Sequence, residues 1–149
     1  MRIALFQPDQ PGNVGAILRL GACLGVPVDV IEPCGFPFSD RALKRAAMDY
    51  GSRAEVTRHP GWDDFLATLQ GRLVLLTTKA GRTLADVRFE PDDTLLFGSE
   101  SGGAPPKVHR RASLCLRIQQ VPGTRSLNIA IAAGIAVAEA LRQTNGWPK

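Results

Sequence analysis

Cysteine is scarce in this chain: Cys23, Cys34 and Cys115 are the only three, and none forms a CxxC pair. An odd, scattered set excludes a disulfide framework and a structural zinc site. Histidine is scarcer still. His59 and His109 each stand apart in the sequence from any cysteine or carboxylate cluster, so no metal-ligand set is read and none is expected. Long apolar runs are missing as well. The longest, Ile129 to Ala138, has ten residues with a glycine among them, against the roughly 20 that a membrane-spanning helix requires. Near the N-terminus only Ile3–Phe6 are continuously apolar, too few for the apolar region of a secretory leader. These absences lead to the expectation of a reduced, cytoplasmic, metal-free protein with no membrane partner, organised as one domain over residues 1–149.

What is present is ordinary in amount and uneven in placement. Hydrophobic residues make up 44% and charged residues 21%, enough to build a buried core and too mixed for a disordered chain. Eighteen basic against fourteen acidic residues leave a net charge of +4. From Ser101 to Ala138 there is no Asp or Glu, yet Lys107, Arg110, Arg111, Arg117 and Arg125 fall there. A second basic run, Arg41, Lys44, Arg45, Arg53 and Arg58, is diluted only by Asp49 and Glu55. Basic faces attract polyanions and steer their approach; the same charges also suit a plain solvated surface.

Short apolar runs alternate with helical patterns. Ile3–Phe6, Val28–Ile31, Leu73–Thr77, Thr94–Phe97 and Leu114–Ile118 read as buried strands, being too brief and too uniformly apolar for amphipathic helices. Between the first two, residues 13–24 read as a helix capped by Asn13 and closed by Gly25 and Pro27. Further helices are expected around Asp40–Met48 and Trp62–Leu69. A last one, from Ser126 as its cap to about Gln143, is apolar nearly all round and is expected to be deeply buried. The alternation implies an α/β fold with a mostly parallel sheet flanked by helices. Ligands of such sheets bind beyond the carboxyl ends of the strands, which directs attention to the segments after Phe6, Thr77, Phe97 and Ile118.

Three of those segments have unusual chemistry. After Phe6, two prolines and two glycines shape a loop feeding a helix N-terminus, a natural anion site. That helix carries one charge, Arg19, with no carboxylate three or four residues away to pair with it, so the arginine either edges the buried face or serves an anionic ligand. After Phe97 comes Gly98-Ser-Glu100-Ser-Gly-Gly103. The spacing of Gly98 and Gly103 fits a phosphate loop, but Ala104-Pro105 stands where Lys and Ser/Thr are required, so a Walker-type site fails. Ser101 lacks the first glycine of a nucleophile elbow, and no acid separates it from His109, which removes a hydrolase triad. What is left is a glycine-permitted turn carrying one carboxylate, Glu100. After Ile118, a Pro122-Gly123 turn leads to Ser126 and Asn128. Asparagine is a poor helix former beside a buried run, and its side chain needs a partner.

Taken in order, the segments P11-G-N13-V-G15-A-I-L-R19-L, L-L-F-G98-S-E100-S-G-G-A-P105 and I118-Q-Q-V-P-G-T-R-S126-L-N128 resemble the three motifs of the SPOUT (SpoU-type) RNA 2′-O-methyltransferases. The stretches I31-E-P-C-G-F, L43-K-R-A-A-M-D-Y50 and L76-T-T-K79 are similar to the small wobble-position tRNA members rather than the larger ribosomal RNA ones, and the resemblance spans essentially the whole chain. Ser101-Gly102, Ala104 and Gln119 depart from the family's commoner residues, none at a candidate catalytic position. The resemblance implies a C-terminal deep trefoil knot, a homodimer, and S-adenosyl-L-methionine as cofactor, released as S-adenosyl-L-homocysteine. Leu76, Gly98, Ile118 and Ser126 would then line the cofactor pocket; Asn13, Arg19, Glu100, Ser126 and Asn128 would form the catalytic constellation, acting on the ribose 2′-hydroxyl of nucleotide 34, cytidine or uridine, of tRNA. A guanidinium is a donor with a pKa above about 12, so Arg19 is expected to bind phosphate and stabilise developing alkoxide rather than accept a proton. Methylation of ribosomal RNA and a non-catalytic RNA-binding role are the competing readings.

Overall fold

The computed structural model describes residues 1–39, 41 and 55–149. All five strands read from the apolar runs are found: β1 Arg2–Phe6, β2 Val28–Ile31, β4 Leu73–Leu76, β6 Thr94–Phe97 and β7 Leu114–Arg117. Two more, β3 Val56–His59 and β5 Arg82–Thr83, escape the pattern. They are the two edges of a seven-stranded sheet of order β3-β2-β1-β6-β4-β7-β5, and edge strands need neither length nor continuous apolarity. Every strand pairing is parallel. That explains why β1, β2 and β6 are buried almost throughout: a parallel sheet is covered on both faces.

Alternation along β1 divides the core. Ile3 and Leu5 point to one layer, where they meet Val14, Ile17 and Leu18 of α1 (Pro11–Leu24) and Ala133, Val137 and Leu141 of α4 (Ile129–Thr144). Ala4 and Phe6 point to the other, with Trp62 and Phe65 of α2 (Trp62–Thr68) and Val108 of α3 (Pro106–Arg111). Each fully buried side chain of that size contributes about 1.5–3 kcal/mol over exposure. The helix expected at Asp40–Met48 lies outside the described residues, and α3 is an addition to the expected set.

Both helix starts differ from expectation. The N-cap of α1 is Gln10, not Asn13, because Pro11 sits at the first helical position, where its fixed φ favours helix and its missing N–H needs no acceptor. The helix still ends as read, at Gly25 with φ +66°. The cap of α4 is Asn128, not Ser126: its side-chain oxygen accepts from the N–H groups of Ala130 and Ile131. Nor is α4 buried all round. Ile131 and Ile135, one turn apart, are 56% and 41% exposed, an apolar stripe beside α1.

Near the amino ends of β1, β2, β4 and β6, charge clamps the sheet, joined by His59 from the last position of β3. Arg72 donates to both oxygens of Asp93 at 2.8 Å. Arg2 Nε donates to Asp29 Oδ2 at 2.7 Å, and His59 Nε2 lies 2.7 Å from Asp29 Oδ1. His59, isolated in the sequence, is therefore next to a carboxylate in the fold.

Candidate active site

The loops after β1, β6, β4 and β7 leave the carboxyl ends of four strands that are consecutive in the sheet. They enclose a cleft of about 540 Å³, within the size range of small-molecule and cofactor sites. Leu76, Gly98, Ile118 and Ser126, the four expected cofactor contacts, all line it. So do Asn13, Glu100 and Asn128.

The turn after β6 is built by glycine. Ser99 and Gly103 close it with paired backbone bonds of 3.2 and 2.8 Å. A Cβ on Gly98 would stand 2.3 Å from the Gly103 carbonyl carbon and 2.4 Å from Ala104 N, so only glycine permits the close approach, and Gly103 itself has φ +65°. The turn projects half-buried Glu100 toward α1. Asn13 Nδ2 donates to Glu100 Oε1 at 3.1 Å, and the Asp9 N–H donates to Oε2 at 3.0 Å. Asn128 Nδ2 in turn donates to Asn13 Oδ1 at 2.9 Å. Three residues from three distant segments thus form one chain of hydrogen bonds along the cleft wall. Because Pro11 relieves Asn13 of capping, its amide is available for this link. Asn128 serves twice, its oxygen capping α4 and its amide bonding Asn13.

Arg19 is placed differently. It is exposed on α1, on the stripe of Gly12, Ala16 and Cys23, and is not among the residues lining the cleft. Sequence reasoning missed several wall residues: Thr77, Thr78, Lys79, Leu127 and His109. The L76-T-T-K79 stretch marks the first three. His109 enters through α3, a helix of six residues that no apolar period announces. Asp9 was missed too: its Oδ2 accepts from the N–H and the hydroxyl of Ser101 in the Glu100 turn.

The chain matches the SpoU rRNA Methylase family model over residues 1–138. It belongs to the SpoU methylase family. The tRNA (cytidine(34)-2'-O)-methyltransferase of Beijerinckia indica is 48% identical over 150 residues, covering 99% of this chain and 94% of that protein. A solved structure described as giving insights into the 2-OH methylation of C/U34 on tRNA superposes with a TM-score of 0.88 at 38% identity, over 97% of this chain and 96% of the other. An AdoMet-bound rRNA methyltransferase from Sinorhizobium meliloti aligns with a TM-score of 0.81 at 28% identity, over 95% of this chain but 55% of its own. This chain thus matches the first two of these relatives over nearly their whole length and only about half of the larger ribosomal RNA relative.

Proposed function

We propose that this chain transfers a methyl group from S-adenosyl-L-methionine to the ribose 2′-hydroxyl of nucleotide 34, cytidine or uridine, of tRNA. The observation that carries the reading is the Glu100–Asn13–Asn128 chain on the wall of a cleft that the four expected cofactor contacts also line. The cleft suits the cofactor: Leu76, Phe97 and Ile118 offer apolar surface for a purine, and the glycine turn exposes backbone groups for hydrogen bonds. The cofactor supplies a methyl on a positively charged sulfur. The protein's part is to hold a hydroxyl in line with that methyl, which alone removes a large share of the barrier. Glu100 and Asn128 fix the wall against which the ribose would lie, and Ser126 offers a hydroxyl at the entrance to α4.

Arg19 and the apolar stripe support a homodimer. Ile131 and Ile135 are exposed on α4, which packs on α1, and α1 in turn exposes Gly12, Ala16 and Cys23 along one stripe; apolar surface of this kind suits the core of a subunit interface. Packed against a second copy, this face carries Arg19 toward the partner's cleft, where it binds phosphate and stabilises developing alkoxide. The trefoil knot belongs to the same reading. It is supported by the path of the chain, which leaves β7 through 118–128 and returns over β6 and α1 as α4. Basic residues near the cleft, Lys79, Lys107, Arg110, Arg117 and Arg125, would receive the tRNA backbone.

The test is transfer of labelled methyl to tRNA from cells lacking the gene, followed by digestion to locate the label. Label on the ribose of nucleotide 34 is expected, reduced at least about 100-fold by Arg19→Ala with cofactor affinity nearly unchanged. Label in ribosomal RNA alone would overturn the substrate, and no transfer to either RNA would overturn the enzyme.

A further inference from the structure

The segment 118–126 carries two of the expected cofactor contacts, Ile118 at one end and Ser126 at the other. What joins them has little packing to hold it, since residues 121–128 are exposed throughout. The same segment also borders a second cavity, of about 720 Å³, whose lining includes Thr78, Arg117, Gln119 and Thr124. Ile118, half-buried Gln120 and Ser126 line both spaces. A stretch with so few buried contacts belongs to the least stable part of a fold unless its own bonds close it. Here they do. Gln120 Nε2 donates to Arg125 O at 2.8 Å and lies 3.5 Å from Thr124 Oγ1. Thr124 Oγ1 donates to Val121 O at 2.7 Å, and the Thr124 N–H to the same oxygen at 3.2 Å. The bonds to Val121 shape only the tip. The bond from Gln120 joins the two arms.

We propose that Gln120 is a positioning residue of the cofactor site, a strut whose amide ties residue 120 to residue 125 and so fixes Ile118 against Ser126 before the cofactor arrives. The tie sits directly behind both contacts: Gln120 follows Ile118 by two residues, and Arg125 precedes Ser126 by one. Without it the two arms have room to separate, and binding must then order them. A segment that is already closed avoids that entropic cost. The side-chain type decides the matter. A backbone carbonyl accepts only from a donor, and the glutamine amide brings one across the loop. An apolar side chain of the same length fills the space and leaves Arg125 O to water. Both partners are uncharged, so the bond has the modest net value of an ordinary hydrogen bond, a few-fold in affinity rather than a thousandfold. The identity of the cofactor rests on the methyltransfer reading; the strut does not.

Gln120→Met keeps the length of the side chain and removes the donor. Calorimetric binding of S-adenosyl-L-homocysteine to the full chain should weaken about 5–10-fold. Gln119→Met is the control, because the neighbouring glutamine lines the second cavity and not the cleft; its affinity should stay within about twofold of the unmodified chain. In steady-state methyl transfer, the KM for S-adenosyl-L-methionine should rise with the loss of affinity in Gln120→Met, with kcat at saturation within about twofold. The Tm should move by less than about 2 °C. A lowered Tm with unchanged affinity per folded molecule would make Gln120 a support of the fold alone and overturn the positioning role, as would equal weakening by Gln119→Met. Amide hydrogen exchange reads the strut without any ligand. The Thr124 N–H should exchange about fivefold faster in Gln120→Met than in the unmodified chain, and equal rates would overturn the strut. If the unmodified chain binds neither form of the cofactor, the functional proposal fails, and the exchange rates still decide the strut.

Discussion

Two carboxylate clusters lie on the same sheet and have opposite fates. In one, Asp29 of β2 meets His59 of β3 at 2.7 Å and Arg2 of β1 at 2.7 Å. An aspartate holding an imidazole is familiar from catalytic triads, but this pair is closed off. Both side chains are about 95% buried, and the imidazole is packed edge-on to Phe65 at 5.4 Å. The other cluster, Asp9, Glu100, Asn13 and Asn128, lies at the carboxyl ends of the strands, and all of it but Asp9 lines an open cleft. Its members come from two loops, the first turn of α1 and the cap of α4 rather than from neighbouring strands, and one buried oxygen is left without a donor. Residue types do not separate a staple from a site here. Location on the sheet and unspent hydrogen-bonding capacity do.

The comparison breaks most completely if the chain is ended after Arg125. That deletes Asn128 from the site and, with it, the buried Ala133, Ala136, Val137, Ala140 and Leu141 of α4. Cofactor binding and cooperative thermal unfolding should both vanish; a truncated chain that still melts cooperatively would show that α4 is dispensable to the core. Next in size is the site cluster itself. Glu100→Gln, which keeps the shape and removes the charge, should lower kcat about 100-fold while moving stability by less than about 1 kcal/mol, checked by single-turnover transfer beside a urea melt.

The staple should behave in reverse. Asp29→Ala leaves Arg2 and buried His59 without their carboxylate and should cost about 3–5 kcal/mol, while transfer per folded molecule stays within about twofold. Urea denaturation and activity normalised to the folded fraction test this together. A stable but inactive Asp29→Ala protein would mean that the two clusters are coupled through β1, and the contrast drawn above would fall.

How much of this was legible in the sequence follows the same division. The five interior strands were readable because a doubly covered parallel sheet demands unbroken apolar runs, as Leu95–Phe97 and Leu73–Leu75 show. The edge strands were not: Thr57 and Arg58 interrupt β3, and β5 has only two residues. Glu100 and Asn128 stood out as polar residues that local structure did not explain. Asn13 stood out too, but as a cap, because nothing local shows that Pro11 had already taken the start of the helix. Asp9 was invisible, since its meaning rests on Ser101, 92 residues away. Arg19 could be read as uncommitted along its own helix, whereas its position outside the cleft is a property of the folded surface. The exposed stripe of Ile131 and Ile135 was hidden by composition, because an apolar run reads the same against a core or against another subunit. Replacing Ile131 by Glu should convert a dimer to monomers in sedimentation with the monomer fold retained, and dimers that persist would remove the support this stripe gives to a two-copy site.

A third charged cluster bounds the comparison from the weak side. On the surface of α4, Glu139 accepts from Arg142 at 2.8 and 2.9 Å and from Gln143 at 2.7 Å. Arg142 first, then Gln143, pulls its carboxyl from an ordinary 4.5 down to about 2. A carboxylate with a depressed folded pKa contributes stability that is present above the unfolded value and is lost as pH falls through the folded one. The contribution of Glu139 should therefore be full at pH 7 and fade between about 4.5 and about 2. Exposure limits its size, since solvent screens such pairs. Glu139→Gln should lower Tm at pH 7 by only about 1–3 °C, and the difference should close as the pH approaches 2. A constant difference across that range would show that the effect does not come from the charge of Glu139. A large effect at pH 7 would mean that a surface pair on α4 supports the fold as strongly as the buried staple does, and exposure would no longer explain why the clusters differ.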